Sequence, residues 1–238
     1  LKTGGGGPFK VYSPFARAAR SKGIHEALTL APSALPGSPA LAGERLDDLG
    51  LLPTKPDWAG GLRAAWTPGE AAALDRLDAF LAEDLKGYAQ NRNRMDLDTT
   101  SRLSPRLHWG EISPLRVWRA AGSALAVDPS LENDVRVLAN ELLWREFSHH
   151  LLFAFPTLPE SNWRSAFSAF PWAGGDMPEA EAWRRGRTGY PVVDAAMAQL
   201  WSEGYVHNRA RMVAASVLIN HFMDDWRLCQ ARYWDTRV

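Results

Sequence analysis

The sequence predicts an all-α domain, and three observations carry that prediction. Apolar residues recur at three- and four-residue steps over much of the chain, prolines and glycines stand where helices start and stop, and no stretch alternates β-branched with polar residues. No repeat period appears either. From Gly69 onward, Leu74, Leu77, Phe80, Leu81, Leu85 and Tyr88 keep the helical period with alanines and charges between them, which predicts one amphipathic helix. Ser104-Pro105 and Ser113-Pro114 each set a capping hydroxyl before a proline suited to the first helical position, so each predicts a helix start with a short helix behind it. Residues 133–153 read as one longer helix halted by Pro156, residues 191–204 as another opened by Pro191 and closed by Gly204, and residues 206–222 as a third. Residues 1–8 are Gly-rich and polar like a linker, and residues 36–55 are punctuated by Gly and Pro without periodicity. The chain therefore divides into a linker-like, partly helical N-terminal part, 1–66, and a helical domain proper, 67–238.

With 238 residues, 46% hydrophobic and 23% charged, the chain has the composition of a folded globular protein rather than a disordered one. It contains no run of eighteen apolar residues, and its first residues are not built like a signal peptide, so we expect a cytoplasmic protein with no membrane partner. The one cysteine, Cys229, excludes an internal disulfide framework and a cysteine-based zinc site. A net charge of zero gives no global argument for a polyanionic partner, so charge has to be read locally. Eleven tryptophans are a heavy load for this length, because a buried indole needs a partner for its N–H or a ligand for its face. A monomer is the default expectation.

Three constellations could carry chemistry. In Thr99-Thr100-Ser101-Arg102-Leu103-Ser104-Pro105, hydroxyls and an arginine crowd a predicted helix start, where free N–H groups and the helix dipole favour an anion; the site is either a phosphate cradle or a well-capped loop. Around Glu141, Trp144 and Arg145, helical spacing puts a carboxylate, an aromatic plane and a cation on one face. That face could stack a base and hold its polar edge, or it could be an ordinary Glu–Arg pair beside a core Trp. At the third, Asn208, Arg211 and Met212 share a face while Arg209 turns toward a neighbouring surface, an array suited to a flat, phosphate-bearing ligand. His207 alone is more often structural, and no second ligand stands at metal spacing, so no metal is predicted. Trp172, Trp183, Trp201, Trp226 and Trp234, taken singly, read as core packing.

Five blocks stand in order: Val11-Tyr12-Ser13-Pro14-Phe15; Thr100 to Pro105 with Leu107-His108-Trp109-Gly110; Glu141 to Phe147; Thr188-Gly189-Tyr190-Pro191 through Asp194 to Met197; and His207-Asn208-Arg209 with Arg211-Met212. Together they resemble the DNA photolyase and cryptochrome family. The chain is most similar to the helical FAD-binding domain of the class I cyclobutane pyrimidine dimer photolyases, which are carbon-carbon lyases of DNA repair. The resemblance implies FAD as cofactor, bound by Tyr88, Thr100, Ser101, Arg102, Leu103, Ser104 and Arg211. It implies UV-damaged DNA as partner, with Glu141, Trp144, Asn208 and Met212 in the pocket for a flipped-out dimer and Arg92, Arg145, Ser148 and Arg209 on the DNA beside them. It matches Trp226 to the middle and Trp172 to the outer member of a tryptophan electron-transfer chain. Light-driven electron transfer from reduced FAD would then open the dimer's cyclobutane ring, with the protein positioning the cofactor.

The same resemblance leads us to expect a piece cut short at both ends. An α/β domain, carrying a second, antenna chromophore in some members, would precede residue 1, and the segment facing the isoalloxazine ring would follow residue 238. Two other readings compete with repair. A signalling cryptochrome keeps flavin and tryptophans but has an altered dimer pocket, whereas Glu141, Trp144, Asn208 and Met212 are all present here. Met212 and Asn208 also fit a cyclobutane-dimer pocket better than a (6-4) pocket, where histidines dominate. A cofactor-free helical nucleic-acid-binding module would use the arginines and tryptophans but leave the hydroxyl cluster unexplained.

Overall fold

The computed structural model describes residues 1–23, 32–34, 37, 43–174 and 177–235, with the backbone alone for 232–235. The expected side chain of Trp234 and parts of the 36–55 stretch lie outside the described residues. Among those described there is no strand, and one isolated parallel bridge joins Ala173 to Asp224. The predicted all-α class is what forms.

Helix α1 (Tyr12–Lys22) ends at Gly23, with Arg20 and Lys22 in its last turn where the dipole favours cations. Its Phe15 joins Phe9 and Phe147 in a small apolar cluster that docks α1 onto the long central helix. A short helix α2 (Gly60–Ala65) follows. A Cβ on Gly61 would collide with the Ser202 carbonyl oxygen, so only glycine lets α2 come this close to the later helix that carries Ser202.

Helix α3 (Glu70–Ala79) runs into a π-helical turn at Phe80–Asp84, closed by Leu85 N–H donating to Phe80 O at 2.8 Å. The helix expected from Gly69 to Tyr88 forms from Glu70 to Asp84 but does not reach Tyr88. The chain breaks at Gly87, whose φ is 87°, and restarts as α4 (Tyr88–Asn91). The restart has a visible cause: the Asp134 carboxylate accepts from Gly87 N–H at 3.0 Å and Ala89 N–H at 2.8 Å, supplying the cap that α4 lacks from its own sequence.

Helix α5 (Ser104–His108) begins one residue earlier than predicted. Ser104 lies inside it and Leu103 precedes it without a side-chain cap, so the expected Ser104 N-cap is not made. At the second Ser-Pro pair the cap forms, Ser113 Oγ accepting from Arg116 N–H, but the helix behind it, α6 (Pro114–Val127), is 14 residues long rather than short. A turn at Asp128 leads into α7 (Glu132–Ala154), 23 residues that pack α1, α4 and α6 on different sides. Two clusters fill this half: Ala73, Leu77, Leu103, Leu107, Val117 and Leu142 in one, Phe80, Leu85, Tyr88, Ala121, Val135 and Leu138 in the other.

The second half gathers α8 (Pro178–Arg184), α9 (Pro191–Glu203), α10 (Asn208–Ser216) and α11 (Trp226–Asp235) around Trp183, which is 1% exposed and donates its indole N–H to Ala214 O at 2.8 Å. The helix expected over 206–222 starts at Asn208 with His207 before it, and finishes in a second π-helical turn at Val217–His221. Gly204, at φ 66°, closes α9 as expected. Trp201 departs from the core expectation: it is 64% exposed. Among the described residues no helix is long and apolar enough to cross a membrane.

Candidate functional site

The hydroxyl-rich turn is held from behind by Arg76 on α3, whose Nε donates to Ser101 O at 3.0 Å and Nη2 to Thr100 O at 2.9 Å. Thr100 Oγ1 lies 3.1 Å from Tyr205 Oη, tying the turn to the corner between α9 and α10. Arg102 takes a left-handed φ of 52°, which swings its guanidinium over the rings of Tyr205 and Trp66 at 4.9 and 5.8 Å. Glu203, 3.3 Å away, and Asp98, 3.7 Å away, balance its charge. Trp66 donates its indole N–H to Glu203 O at 2.7 Å.

Several donors of this turn are left for a ligand. Thr99 Oγ1 and Arg102 Nε are buried without a hydrogen-bond partner among the described residues, an arrangement that costs free energy unless something else meets it. Ser101 Oγ accepts weakly from Leu103 N–H at 3.4 Å, which leaves its own proton to donate. Ser104 is exposed at the first residue of α5. This donor set suits a phosphate-bearing group such as a dinucleotide cofactor. Tyr88 and Leu103 differ in kind: both are buried core side chains, and burial pushes the Tyr88 hydroxyl up despite Arg92 beside it. Arg211 is half-buried on α10.

The second constellation forms with different partners. Arg145 bonds Glu146 at 2.8 Å and Leu107 O at 3.3 Å, while Glu141 pairs with Arg92 at 2.7 Å. The expected four-residue Glu141–Arg145 pair is not made. The reason is the break at Gly87, which brings α4 and Arg92 alongside α7. Trp144 is 46% exposed, so the core reading of this tryptophan fails. Ser148 is exposed and donates to Trp144 O at 3.0 Å.

His207 joins the third constellation to the second. Its Nδ1 accepts from Arg209 N–H at 3.1 Å, so the proton sits on Nε2, which bonds Arg92 O at 3.1 Å. Burial holds its pKa below the usual histidine value, although the bond to Arg92 O opposes that shift. Arg209 reaches away from Asn208 to Asn93 Oδ1 at 2.8 Å and lies 3.4 Å from Met212 Sδ; Asn208 and Met212 are exposed. The three constellations are thus linked in one chain of contacts, Thr100 to Tyr205, His207 to Arg92, and Arg92 to Glu141, with Trp144 one turn further along α7.

Trp172 and Trp226 sit on backbone segments fastened together by Ala173 N–H donating to Met223 O at 2.8 Å. Trp226 donates to Asn162 Oδ1 at 2.9 Å, and the buried Trp172 Nε1 has no partner among the described residues. A cavity of about 310 Å³, lined by Lys10, Phe155, Thr157, Leu158, Ser161, Asn162 and Trp163, shares none of the predicted residues.

Sequence reasoning missed Tyr12, Trp66, Arg76, Asp134, Glu203 and Tyr205. Tyr12 stood inside a recognised block, but nothing local gave it a role. The others meet the site only through contacts between helices.

Comparison with known proteins gives the chain's family likeness. A family model described as the FAD binding domain of DNA photolyase matches residues 137–238. A deoxyribodipyrimidine photolyase of Agrobacterium fabrum is 46% identical over 239 residues, covering 100% of this chain and 49% of the relative. Cryptochrome-2 of Arabidopsis thaliana is 35% identical over 180 residues, covering 74% of this chain and 29% of that protein. The solved structure of a bacterial class III photolyase from Agrobacterium tumefaciens superposes with a TM-score of 0.85 at 45% identity, over 99% of this chain and 48% of that one. The chain spans about half the length of the curated photolyases it matches.

Proposed function

Because the chain belongs to the DNA photolyase and cryptochrome family, we propose that its protein repairs UV-damaged DNA with light, acting on cyclobutane pyrimidine dimers with FAD as cofactor. The observation that carries this reading is the exposed Trp144 plane one helical turn from the Glu141–Arg92 pair. A thymine edge offers an N–H donor between carbonyl acceptors. A carboxylate bonded to a guanidinium offers an acceptor beside donors, so the pair can meet the N–H and a carbonyl of that edge while Trp144 stacks on the base. Flipping a damaged pair out of the duplex costs a few kcal/mol, and stacking on an aromatic side chain returns about 1–3 kcal/mol per base. Asn208 and Met212 line the same pocket in this reading, and Arg92, Arg145, Ser148 and Arg209 meet the DNA.

FAD, when bound, supplies light absorption and one-electron chemistry. This chain's residues supply its seat: Ser101, Arg102, Ser104 and Arg211 toward the phosphates, with Thr100, Tyr88 and Leu103 shaping the turn behind them. As charge develops on the dimer, Arg92 stabilises it from a fixed position, which requires no reorganisation at that moment. Trp172 and Trp226 lie on the fastened segments along which an electron could reach the cofactor. Residues 67–238 form the cofactor- and DNA-binding unit, to which 1–66 adds Trp66. The likeness in fold to a bacterial class III photolyase supports the photolyase reading, and the class, I by the motifs or III by that likeness, is part of this proposal. We take it to act as a cytoplasmic monomer.

The test uses the full reading frame that encodes the chain. The purified protein should show a flavin spectrum and reverse thymine dimers under blue light but not in the dark. Flavin without repair would identify a photoreceptor instead, and no flavin would leave a cofactor-free DNA-binding module. Trp144→Ala should weaken binding to dimer-containing DNA at least five-fold more than to intact DNA; equal weakening of both would remove Trp144 from the lesion pocket.

A further inference from the structure

The indole of Trp144 does not stand alone. The ring of Tyr12 lies flat on one of its faces, with centroids 3.6 Å apart and planes 4° from parallel. Phe147 closes on both rings edge-on, at 5.9 Å from Trp144 and 6.0 Å from Tyr12. Two free aromatic rings favour offset or edge contacts over a face-to-face pairing, so such a stack has to be held in place.

Its anchors are visible. Tyr12 Oη lies 3.2 Å from Asn140 O and 3.3 Å from Asn140 Oδ1, and Arg20 Nη2 donates to that same Oδ1 at 2.6 Å. Asn140 precedes Glu141 on α7, one turn before Trp144. On the other side of the stack, Phe9 N–H donates to His150 Nε2 at 3.0 Å, and Phe15 packs on Phe147. Helix α1 is therefore fastened to α7 on both sides of the ring pair. Trp144 nevertheless remains 46% exposed, so what it offers to solvent is the face and edge that Tyr12 leaves uncovered.

We infer that Tyr12 is a positioning residue for lesion recognition: by covering one face of Trp144 it locks the indole rotamer and leaves a single, pre-oriented face for an unstacked pyrimidine. An indole already locked gives up little rotamer freedom when a base lands on it, so binding loses less entropy. The inference rests on the lesion-pocket reading above and adds to it a residue from outside the predicted domain.

The test is a double-mutant cycle on the flavin-loaded protein from the full reading frame. Its readout is the discrimination ratio, the Kd for intact duplex divided by the Kd for a duplex carrying one thymine dimer, measured in the dark. Tyr12→Leu should lower the ratio roughly three- to ten-fold, Tyr12→Phe, which keeps the ring but loses the bonds to Asn140, should lower it by only about two-fold, and Tyr12→Leu added to Trp144→Ala should change it no further. Flavin content and affinity for intact DNA report folding; should Tyr12→Leu lose either, Tyr12→Met, of similar reach but without a ring, takes its place. Equal effects of the Tyr12 change with and without Trp144 would overturn the inference, as would a Tyr12→Phe protein as impaired as Tyr12→Leu. Tighter dimer binding by Tyr12→Leu would also overturn it, since Tyr12 would then be occupying the lesion's place. If Trp144→Ala leaves the ratio unchanged, the lesion-pocket reading fails and takes this inference with it; if Trp144→Ala lowers the ratio and Tyr12→Leu does not, only the role of Tyr12 is lost.

Discussion

Replacing Asp134 with alanine should unfasten α4 and, with it, Arg92. In the native protein the carboxylate accepts from Gly87 N–H at 3.0 Å and Ala89 N–H at 2.8 Å, and both bonds are partly shielded from water. A hydrogen bond to a charged group contributes about 1.5–3 kcal/mol when buried, and loss of a helix cap costs about 0.5–2 kcal/mol, so for this half-exposed pair about 2 kcal/mol is the reasonable figure. A domain of this size shifts by roughly 2–4 °C per kcal/mol, which puts the fall in Tm at about 4–8 °C. Asp134→Asn, whose amide oxygen still accepts, should lose about half as much. Thermal melts of the two variants measure the magnitude. Hydrogen exchange locates it, because the amides of Gly87 and Ala89 should lose protection while those of α9 and α10 keep theirs. An unchanged Tm, or protection lost evenly across the chain, would refute the capping argument.

Two further outcomes can be checked on the same protein. Burial, with Asp224 adding to it, pushes the Cys229 thiol up to about 12, so the native protein should resist thiol alkylation at mildly alkaline pH and react promptly once urea unfolds it; fast native labelling would contradict the packing of α11. His207 has a folded-state pKa below its unfolded value, so protonation favours unfolding. Its contribution is complete above about pH 6.5 and is lost as the pH falls through the folded pKa. Stability curves of the native protein and His207→Gln should therefore converge on acidification, and parallel curves would show that His207 does not titrate with folding.

What could be read from the sequence was the part written locally. The period of α7 and α9, the proline that opens α9 and the glycine that closes it gave boundaries within a residue or two. Ser113 caps as its spacing implied; Ser104 does not, because Leu103 is drawn into the core and the helix begins early. The break at Gly87 was hidden, since the apolar period runs straight through it and the group that stabilises the restart, Asp134, lies on another helix. The same limit governed the site. That Glu141, Trp144 and Arg145 share a helix face followed from spacing, but that Glu141 chooses Arg92 over Arg145 depends on how α4 lies against α7. Arg102 gave no local sign that it would adopt a left-handed backbone to reach Trp66 and Tyr205, two rings far from it in sequence.

The two π-helical turns, Phe80–Asp84 and Val217–His221, make chain length itself a determinant of aim. Each adds slack of about one residue to its helix, and each precedes a segment that has to arrive in register: Tyr88 and Arg92 after the first, the Ala173 bridge and Trp226 after the second. A single-residue deletion in the neighbouring α-helical turns would rotate the exit by about 100°, and the wider π coil is where such a change can be taken up by closing to ordinary pitch. Phe80 and Leu218, both fully buried, anchor the two turns in the core, so residue number and side-chain size are constrained together there.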